Sequence, residues 1–343
     1  MGDVEVERPA ATPPSVRLLS MLGYLAALAC WSAVLDLPKQ TLTAFIWIWL
    51  ASIAWNIRAP WRAHLAFPRD WWPALAVLTV YSYSRGLADN LGFAAVHVTP
   101  PIEADRWLFG GTLPTEYLQA KLCGIPCERT MPPAWYDTVL TTVYYSYFFV
   151  PLVTAAVLWV RDRSGWLRYM RRYLSLCAVA LMGYITYPMA PPWMAGQEGL
   201  ISPNVDRITG RGWYDLREAG IHQTLSTFSN QVAAMPSLHA GVAAFLAVYG
   251  ITLSRRRARW LLLLYPLAMG FALVYFAEHY VIDILAGYAA AGLVLWGCAA
   301  WERRRRQPGA LPPATGGAPP AVRTNPVSLR KMRARSLPEP GDQ

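Results

Sequence analysis

Two short stretches of the chain combine histidine with residues that could assist it in catalysis. The segment "PSLHAG" carries Ser237 and His239, and "EHYVID" carries His279 and Asp283, each at the start of an apolar run. A spacing of four places His279 and Asp283 on one helix face, so the carboxylate can fix one imidazole nitrogen and leave the other basic. An aspartate at the centre of a membrane helix costs roughly 2.5–3.5 kcal/mol, which predicts a partner or a task for Asp283. The pair could also be structural, each side chain simply satisfying the other.

The first stretch predicts an anion site at the rim of the helix bundle, where its apolar run begins. Pro236 suits the first turn of a helix, where free backbone N–H groups bind anions and the Ser237 hydroxyl adds a donor. His239 would lie just inside that rim. Two imidazoles, a carboxylate and a helix N-terminus at one point indicate phosphoryl transfer, in which one imidazole attacks phosphorus and the other protonates the leaving oxygen.

Long apolar runs supply the elements that must position these residues. Of 343 residues, 55% are hydrophobic and 15% are charged, and runs of about 20 apolar residues are typical of bilayer spans. The composition predicts an all-α integral membrane protein with about eight transmembrane helices. The predicted spans cover residues 16–35, 41–57, 72–88, 136–160, 171–190, 236–253, 259–277 and 280–301.

The net charge of +10 comes largely from arginine clusters between the spans. With eight spans, the clusters within 58–69, 161–172, 255–259 and 303–306 all fall on one side, which the positive-inside rule makes cytoplasmic. They indicate topology and contact with anionic headgroups, and no nucleic-acid partner is expected.

The same topology predicts the organisation of the remaining chain. Both termini are then cytoplasmic, and the loops 89–135 and 191–235 are extracytoplasmic. Residues 1–15 form a disordered cytoplasmic N-terminus, 16–71 two accessory helices, and 302–343 a disordered basic cytoplasmic tail. The arginine- and alanine-rich composition is typical of a bacterium of high genomic GC content.

"PSLHAG" followed by "HYVID" resembles the second and third signature motifs of the type 2 phosphatidic acid phosphatase superfamily. The closer likeness is to the branch that contains fungal inositol phosphorylceramide synthase and actinobacterial membrane homologues, and "ADRWLFGGTLPTEYLQ" (104–119) and "YPMAPPW" (187–193) are also similar to that branch. The resemblance implies a six-helix catalytic membrane domain over 72–301, with its site near one membrane face. It also implies that His279 is the nucleophile that forms a phosphohistidine, that Asp283 orients it, that His239 is the general acid and base, and that Ser237 helps to hold the phosphate.

Two departures from the superfamily pattern leave the cations of the site to be found. The first motif, a Lys followed seven residues later by Arg-Pro, is absent, and Leu273 stands where the third motif usually has Arg. Arg85 is the first candidate to bind phosphate, although it could instead snorkel or pair within its own helix. Arg207 and Arg211 could close over a headgroup or be solvated loop charges. Asp105 could orient a polar acceptor or a basic partner.

These residues predict a membrane phosphotransferase or phosphatase that acts on a lipid-linked phosphate. The substrate could be a phosphatidic acid, a phosphoinositide or a polyprenyl phosphate, and the acceptor could be water or the hydroxyl of an inositol or sugar. Membrane lipids are the other expected partners. No cofactor or metal is expected, because arginines and helix dipoles can supply the positive charge, and no nucleotide-binding glycine pattern is present.

Three further points stay open in the sequence. A proton-coupled lipid transporter or scramblase could use a buried His-Asp pair as a relay. A membrane metalloenzyme could use His239, His279 and Asp283 as ligands. Cys123 and Cys127 lie in a polar loop where a local disulfide is one possibility.

Overall fold

The regular structure of the chain is helical wherever it is described. The computed structural model describes residues 12–35, 41–90, 95–127, 132–214 and 234–306, without the side chains of 35, 41, 81–90 and 306. Its α-helices are α1 (Pro14–Leu35), α2 (Thr41–Trp55), α3 (Trp61–His64), α4 (Ala66–Asn90), α5 (Thr99–Leu108), α6 (Pro114–Leu122), α7 (Trp135–Arg161), α8 (Arg163–Thr186), α9 (Pro192–Gln197), α10 (Leu238–Leu253), α11 (Leu264–Tyr275) and α12 (Val281–Arg306). A 3₁₀ helix, Arg257–Leu263, leads into α11. The prediction of an all-α protein is confirmed.

Each predicted span overlaps a helix, but the helices differ in how well they suit a bilayer. Among the residues that the structure describes, four helical stretches are long and apolar enough to cross a bilayer by length and composition: Pro14–Val34, Trp135–Arg161, Arg257–Tyr275 and Val281–Arg305. Leu42–Trp55 and Leu238–Leu253 are apolar but shorter. A count of eight spans therefore stays a prediction. The two stretches expected as outer loops contain α5, α6 and α9, each of which has proline in its first turn.

Large apolar side chains cover the outside of the long helices. Leu19 is 73% exposed and Val34 74% in α1, and Leu293 and Trp296 are 65% and 68% exposed in α12. A soluble protein rarely presents such continuous apolar surface, whereas a bilayer covers it.

Helices α10 and α12 pack closely at their N-terminal ends, where both histidines lie. α10 contacts α7, α8 and α11. A Cβ atom added at Gly287 of α12 would overlap the backbone oxygen of Ser237, and one added at Gly241 of α10 would lie 3.0 Å from the oxygen of Gly287. Glycine at these two positions thus allows the backbones of α10 and α12 to touch. The N-terminal ends of the two helices are therefore held side by side.

The chain divides into two compact units, and the site lies in the first. Unit one covers residues 1–300 and unit two begins at Trp301. The described part of the second unit, residues 301–306, is helical.

Candidate active site

His239 and His279 lie together, although forty residues separate them in the chain. The centroids of the two imidazole rings are 6.1 Å apart, with an angle of 58° between the ring planes. His239 is in the first turn of α10, and His279 lies in the turn just before α12. This separation lets both rings reach one phosphoryl group from different sides.

Asp283 contacts His279, but by a different local geometry from the one expected. The sequence predicted both residues on one helix face, whereas α12 begins at Val281 and leaves His279 outside the helix. Asp283 is the third residue of α12, and its Oδ2 turns back to accept a hydrogen bond from the N–H of Tyr280 (3.0 Å). The same oxygen lies 3.4 Å from Nδ1 of His279. The histidine is thus fixed by a carboxylate that also caps the helix.

The turn that carries His279 is a helix C-cap built around Ala277. Glu278 N–H donates to the oxygen of Leu273 (3.0 Å) and Ala277 N–H to that of Val274 (3.1 Å), the bond pattern of a Schellman motif. Ala277 occupies the left-handed position, φ 59°, where glycine is usual. Leu273, at the position of the missing arginine, is fully buried in the apolar core. That position therefore supplies no charge to the site.

Ser237 begins α10 and is fully buried. It is the N-cap residue, and its Oγ accepts from the N–H of Ala240 at 3.4 Å. Its own N–H donates to the backbone oxygen of Asp283 at 3.0 Å, which ties the starts of α10 and α12 together. The hydroxyl hydrogen can still be donated, so a contact from Ser237 to phosphate stays a prediction.

Arg207 lies at the histidines and is not a solvated loop charge. Its Nε is 2.5 Å from Oε1 of Glu278, the neighbour of His279, and its side chain also bonds that of Tyr144. The guanidinium lies over the ring of Trp193, 5.5 Å from the centroid. Burial alone would lower the pKa of Arg207, but the charge of Glu278 and the hydrogen bonds raise the pKa above its ordinary value. The site thus keeps a permanent positive charge.

The segment before Arg207 is held by α6. The side-chain amide of Gln119 donates to the oxygen of Asp206 (2.7 Å) and to that of Tyr275 (2.9 Å), and its oxygen accepts from the N–H of Asp206 (3.1 Å). Oε1 of Glu116 accepts from the N–H of Ser202 (2.8 Å). Two side chains of one short helix therefore fix the segment that carries Arg207.

Arg211 takes part in a buried ion pair and is not a solvated loop charge, while a contact from it to a headgroup stays a prediction. Its Nε donates to Oδ2 of Asp137 at 3.0 Å, and the two side chains are 5% and 0% exposed. Asp137 also accepts from the Tyr275 hydroxyl at 2.8 Å. Arg211 Nη1 lies 2.8 Å from the sulfur of Cys123, which forms a disulfide with Cys127. These contacts give Arg211 a structural role that joins its loop to α7.

Asp105 caps α12, the helix that follows the turn carrying His279. Its two oxygens accept from the N–H groups of Val281 (2.8 Å) and Ile282 (3.0 Å), and its side chain is fully buried. Burial raises the pKa of Asp105, although the two N–H donors act in the opposite direction. The residue thus contacts backbone where a polar acceptor or basic partner was expected. Arg85 lies in α4, but its side chain is outside the described residues.

Sequence reasoning missed two side chains of this cluster, Glu278 and Tyr144. Glu278 is a carboxylate beside His279 in an otherwise apolar stretch, which was a usable signal. Tyr144 carries no such signal, because nothing in the sequence of α7 distinguishes it from a tyrosine that only packs between helices. Among the residues that the structure describes, no three His, Cys, Asp or Glu side chains are grouped so as to hold a metal ion.

Comparison with known proteins places these residues in a family. The model of the PAP2 superfamily matches residues 128–297, a segment that contains both histidines and Asp283. The matched segment, just under half of the chain, is thus similar to the PAP2 superfamily. The predicted resemblance is confirmed by this match and by two curated relatives.

Both relatives are sphingolipid enzymes by name. The chain is 30% identical over 179 residues to the phosphoinositol dihydroceramide synthase of Bacteroides thetaiotaomicron, covering 48% of this chain and 57% of that protein. It is 29% identical over 149 residues to the inositol phosphorylceramide synthase catalytic subunit of Saccharomyces cerevisiae, covering 41% of this chain and 36% of that one. The similarity thus spans little more than half of one PAP2 relative and about a third of the other. No solved structure matches the chain.

Proposed function

We propose that the protein is a membrane phosphotransferase or phosphatase that acts on a lipid-linked phosphate. The observation that carries this proposal is the 6.1 Å separation of the His239 and His279 rings, together with the contact between Asp283 Oδ2 and His279 Nδ1. A PAP2 family match across the same residues supports it. Paired imidazoles beside a fixed arginine are suited to phosphoryl transfer.

In the first step, His279 attacks the phosphorus atom. Asp283 accepts a hydrogen bond from Nδ1–H of His279, so the lone pair on Nε2 is free to form the new N–P bond. The bond between phosphorus and the leaving oxygen breaks, and His239 gives that oxygen a proton. Arg207 and the start of α10, with Ser237, offset the negative charge of the phosphoryl group, and Arg85 is a second candidate cation.

In the second step, the phosphohistidine is released to an acceptor. His239 removes the proton from an acceptor hydroxyl or from water, the oxygen attacks phosphorus, and the N–P bond breaks. His279 and His239 thereby return to their starting protonation states. The proton that His239 gives to the leaving oxygen is replaced by the one it takes from the acceptor, so one cluster can serve both steps.

We favour transfer over hydrolysis, since both relatives are named for synthases of phosphoinositol-containing ceramides. The acceptor would then be a hydroxyl of inositol, of a sugar or of a ceramide-like lipid. The donor would be a phosphoinositide, a phosphatidic acid or a polyprenyl phosphate.

We place the site on the extracytoplasmic side of a bacterial cell membrane, with both termini in the cytoplasm. The distribution of arginine clusters supports this orientation. The Cys123–Cys127 disulfide also supports it, because disulfides persist in oxidising compartments and this one lies in the segment expected outside.

The proposal is tested with purified protein and a panel of labelled lipid phosphates, each with and without inositol or a ceramide acceptor. Product identification is expected to show headgroup transfer or phosphate release. This activity should be lost in His279→Ala and retained in the control His64→Ala, which replaces a histidine of α3. Denaturation during turnover is expected to trap label on His279 of the parent. Turnover of no donor, or turnover that survives His279→Ala, would contradict the proposal.

A further inference from the structure

We propose that Tyr144 is a positioning residue that couples the phosphate-binding Arg207 to the proton donor His239. The inference rests on the proposed function. It assigns to one side chain the relative placement of the cation and the general acid.

Aromatic faces hold the ring of His239. Its Nε2 is buried and has no hydrogen-bond partner among the described residues. Tyr144 is stacked on the imidazole at 5.0 Å and 15°, Tyr147 lies 4.0 Å away at 36°, and Phe148 presents its edge at 6.0 Å. These residues lie at positions i, i+3 and i+4 of α7, which is the spacing of one helix face. The orientation of the imidazole is therefore set largely by α7.

Tyr144 also reaches the arginine through its hydroxyl. Its side chain hydrogen-bonds Arg207, whose Nε bonds Glu278 at 2.5 Å. The guanidinium is thus held by a phenol and by a carboxylate. Glu278 directly precedes His279, so the second contact ties the arginine to the nucleophile.

These contacts divide the role of Tyr144 into two separable parts. The hydroxyl places the charge that binds phosphate, whereas the ring places the imidazole that moves the proton. Tyr144 is 3% exposed, and it connects three elements: α7, α10 and the segment that carries Arg207. Loss of the hydroxyl should therefore weaken binding, and loss of the ring should also slow the chemical step.

The test compares Tyr144→Phe and Tyr144→Leu with the parent on the lipid donor that turns over fastest. Tyr144→Phe is expected to raise KM about tenfold and keep kcat within about threefold, because a hydrogen bond to a charged group is lost and the ring remains. Tyr144→Leu is expected to show the same rise in KM and a further fall of about tenfold in kcat. Tyr169→Phe is the matched control, since it removes a buried hydroxyl bonded to the Pro151 oxygen at 2.9 Å in a separate aromatic group.

A second measurement does not depend on turnover. Inorganic vanadate, a phosphate analogue, is expected to raise the Tm of the parent and of Tyr169→Phe, and to raise that of Tyr144→Phe clearly less. If Tyr144→Phe had the same KM as the parent, or if vanadate raised its Tm as much as that of the parent, the role of the hydroxyl would be overturned. If Tyr144→Leu had the same kcat as the parent, the role of the ring would be overturned. If the parent turned over no lipid phosphate, the proposed function and the role of the ring in proton transfer would both fail, while the vanadate shifts would still decide the role of the hydroxyl.

Discussion

Replacing Asp283 by asparagine separates two contributions of the carboxylate, its charge and its oxygen. Oδ2 serves both His279 Nδ1 and the Tyr280 N–H, whereas Oδ1 is buried with no hydrogen-bond partner in the described part of the chain. An asparagine can keep its oxygen at the Oδ2 position and place its NH₂ group at Oδ1. The histidine tautomer and the helix cap then survive, and the charge alone is lost.

The size of the loss follows from the distance. Unit charges 3.4 Å apart interact by about 5 kcal/mol at an effective dielectric constant of about 20. The retained neutral hydrogen bond offsets about 1 kcal/mol. About 4 kcal/mol is then lost when the imidazole becomes positive, which corresponds to a roughly 10³-fold fall in kcat.

Asp283→Ala supplies the comparison, because it removes the oxygen as well as the charge. It is expected to be at least about tenfold slower than Asp283→Asn, since the tautomer is no longer fixed. Both variants should lose about 1–3 kcal/mol of unfolding free energy. Asp283→Asn buries an NH₂ group without a partner, and Asp283→Ala leaves the Tyr280 N–H uncapped. Single-turnover kinetics on folded protein measure the difference. Equal losses of activity in the two variants would refute the reasoning that the oxygen is retained.

Further predictions concern the framework of the site. Gly287→Ala is expected to cost about 1–3 kcal/mol of unfolding free energy and to lower kcat, because the added methyl group overlaps the first carbonyl of α10; Gly292→Ala, with nothing within 4 Å of its Cβ, should be neutral or stabilising. Arg211→Met should lower unfolding free energy by about 3–5 kcal/mol by breaking a buried ion pair, while the folded fraction keeps its kcat/KM. Arg207→Lys should leave Tm nearly unchanged and raise KM, since the charge is kept and the planar guanidinium is lost. A change in KM for Arg211→Met and a loss of stability for Arg207→Lys would contradict the roles given to the two arginines. Asp105→Asn, with one acceptor oxygen for two N–H donors, should cost about 1 kcal/mol by thermal unfolding.

The sequence indicated the meeting of the two histidines because that meeting depends on regular elements. Spans of known length and alternating direction place the starts of α10 and α12 at the same rim, and motif spacing then locates His239 and His279. The turn between α11 and α12 was harder to predict, since an alanine with φ 59° stands where glycine would have marked the end of the helix. Without that marker, His279 was expected inside the helix.

The arginines show where sequence reasoning fails. Arg207 and Arg211 lie four residues apart between α9 and α10, and their types and neighbours do not distinguish them. Their roles are set by partners from distant parts of the chain, Glu278 for the first and Asp137 for the second. Such partners depend on the path of a non-repetitive backbone, which has no period that a sequence can display.

The path of that backbone also bears on the missing superfamily cations. Leu273 is buried in the core, so a helix position that usually carries arginine contributes packing alone. The charge beside the histidines comes instead from Arg207, whose segment is fixed through Gln119 to α6. We infer that the proposed phosphate site depends on the folding of the segment that carries Arg207 as much as on the helix bundle. Gln119→Leu tests this: it keeps the bulk and removes three hydrogen bonds, and it should raise KM for the lipid phosphate about as much as Arg207→Lys. If Gln119→Leu had the same KM as the parent, the helix bundle alone would place Arg207.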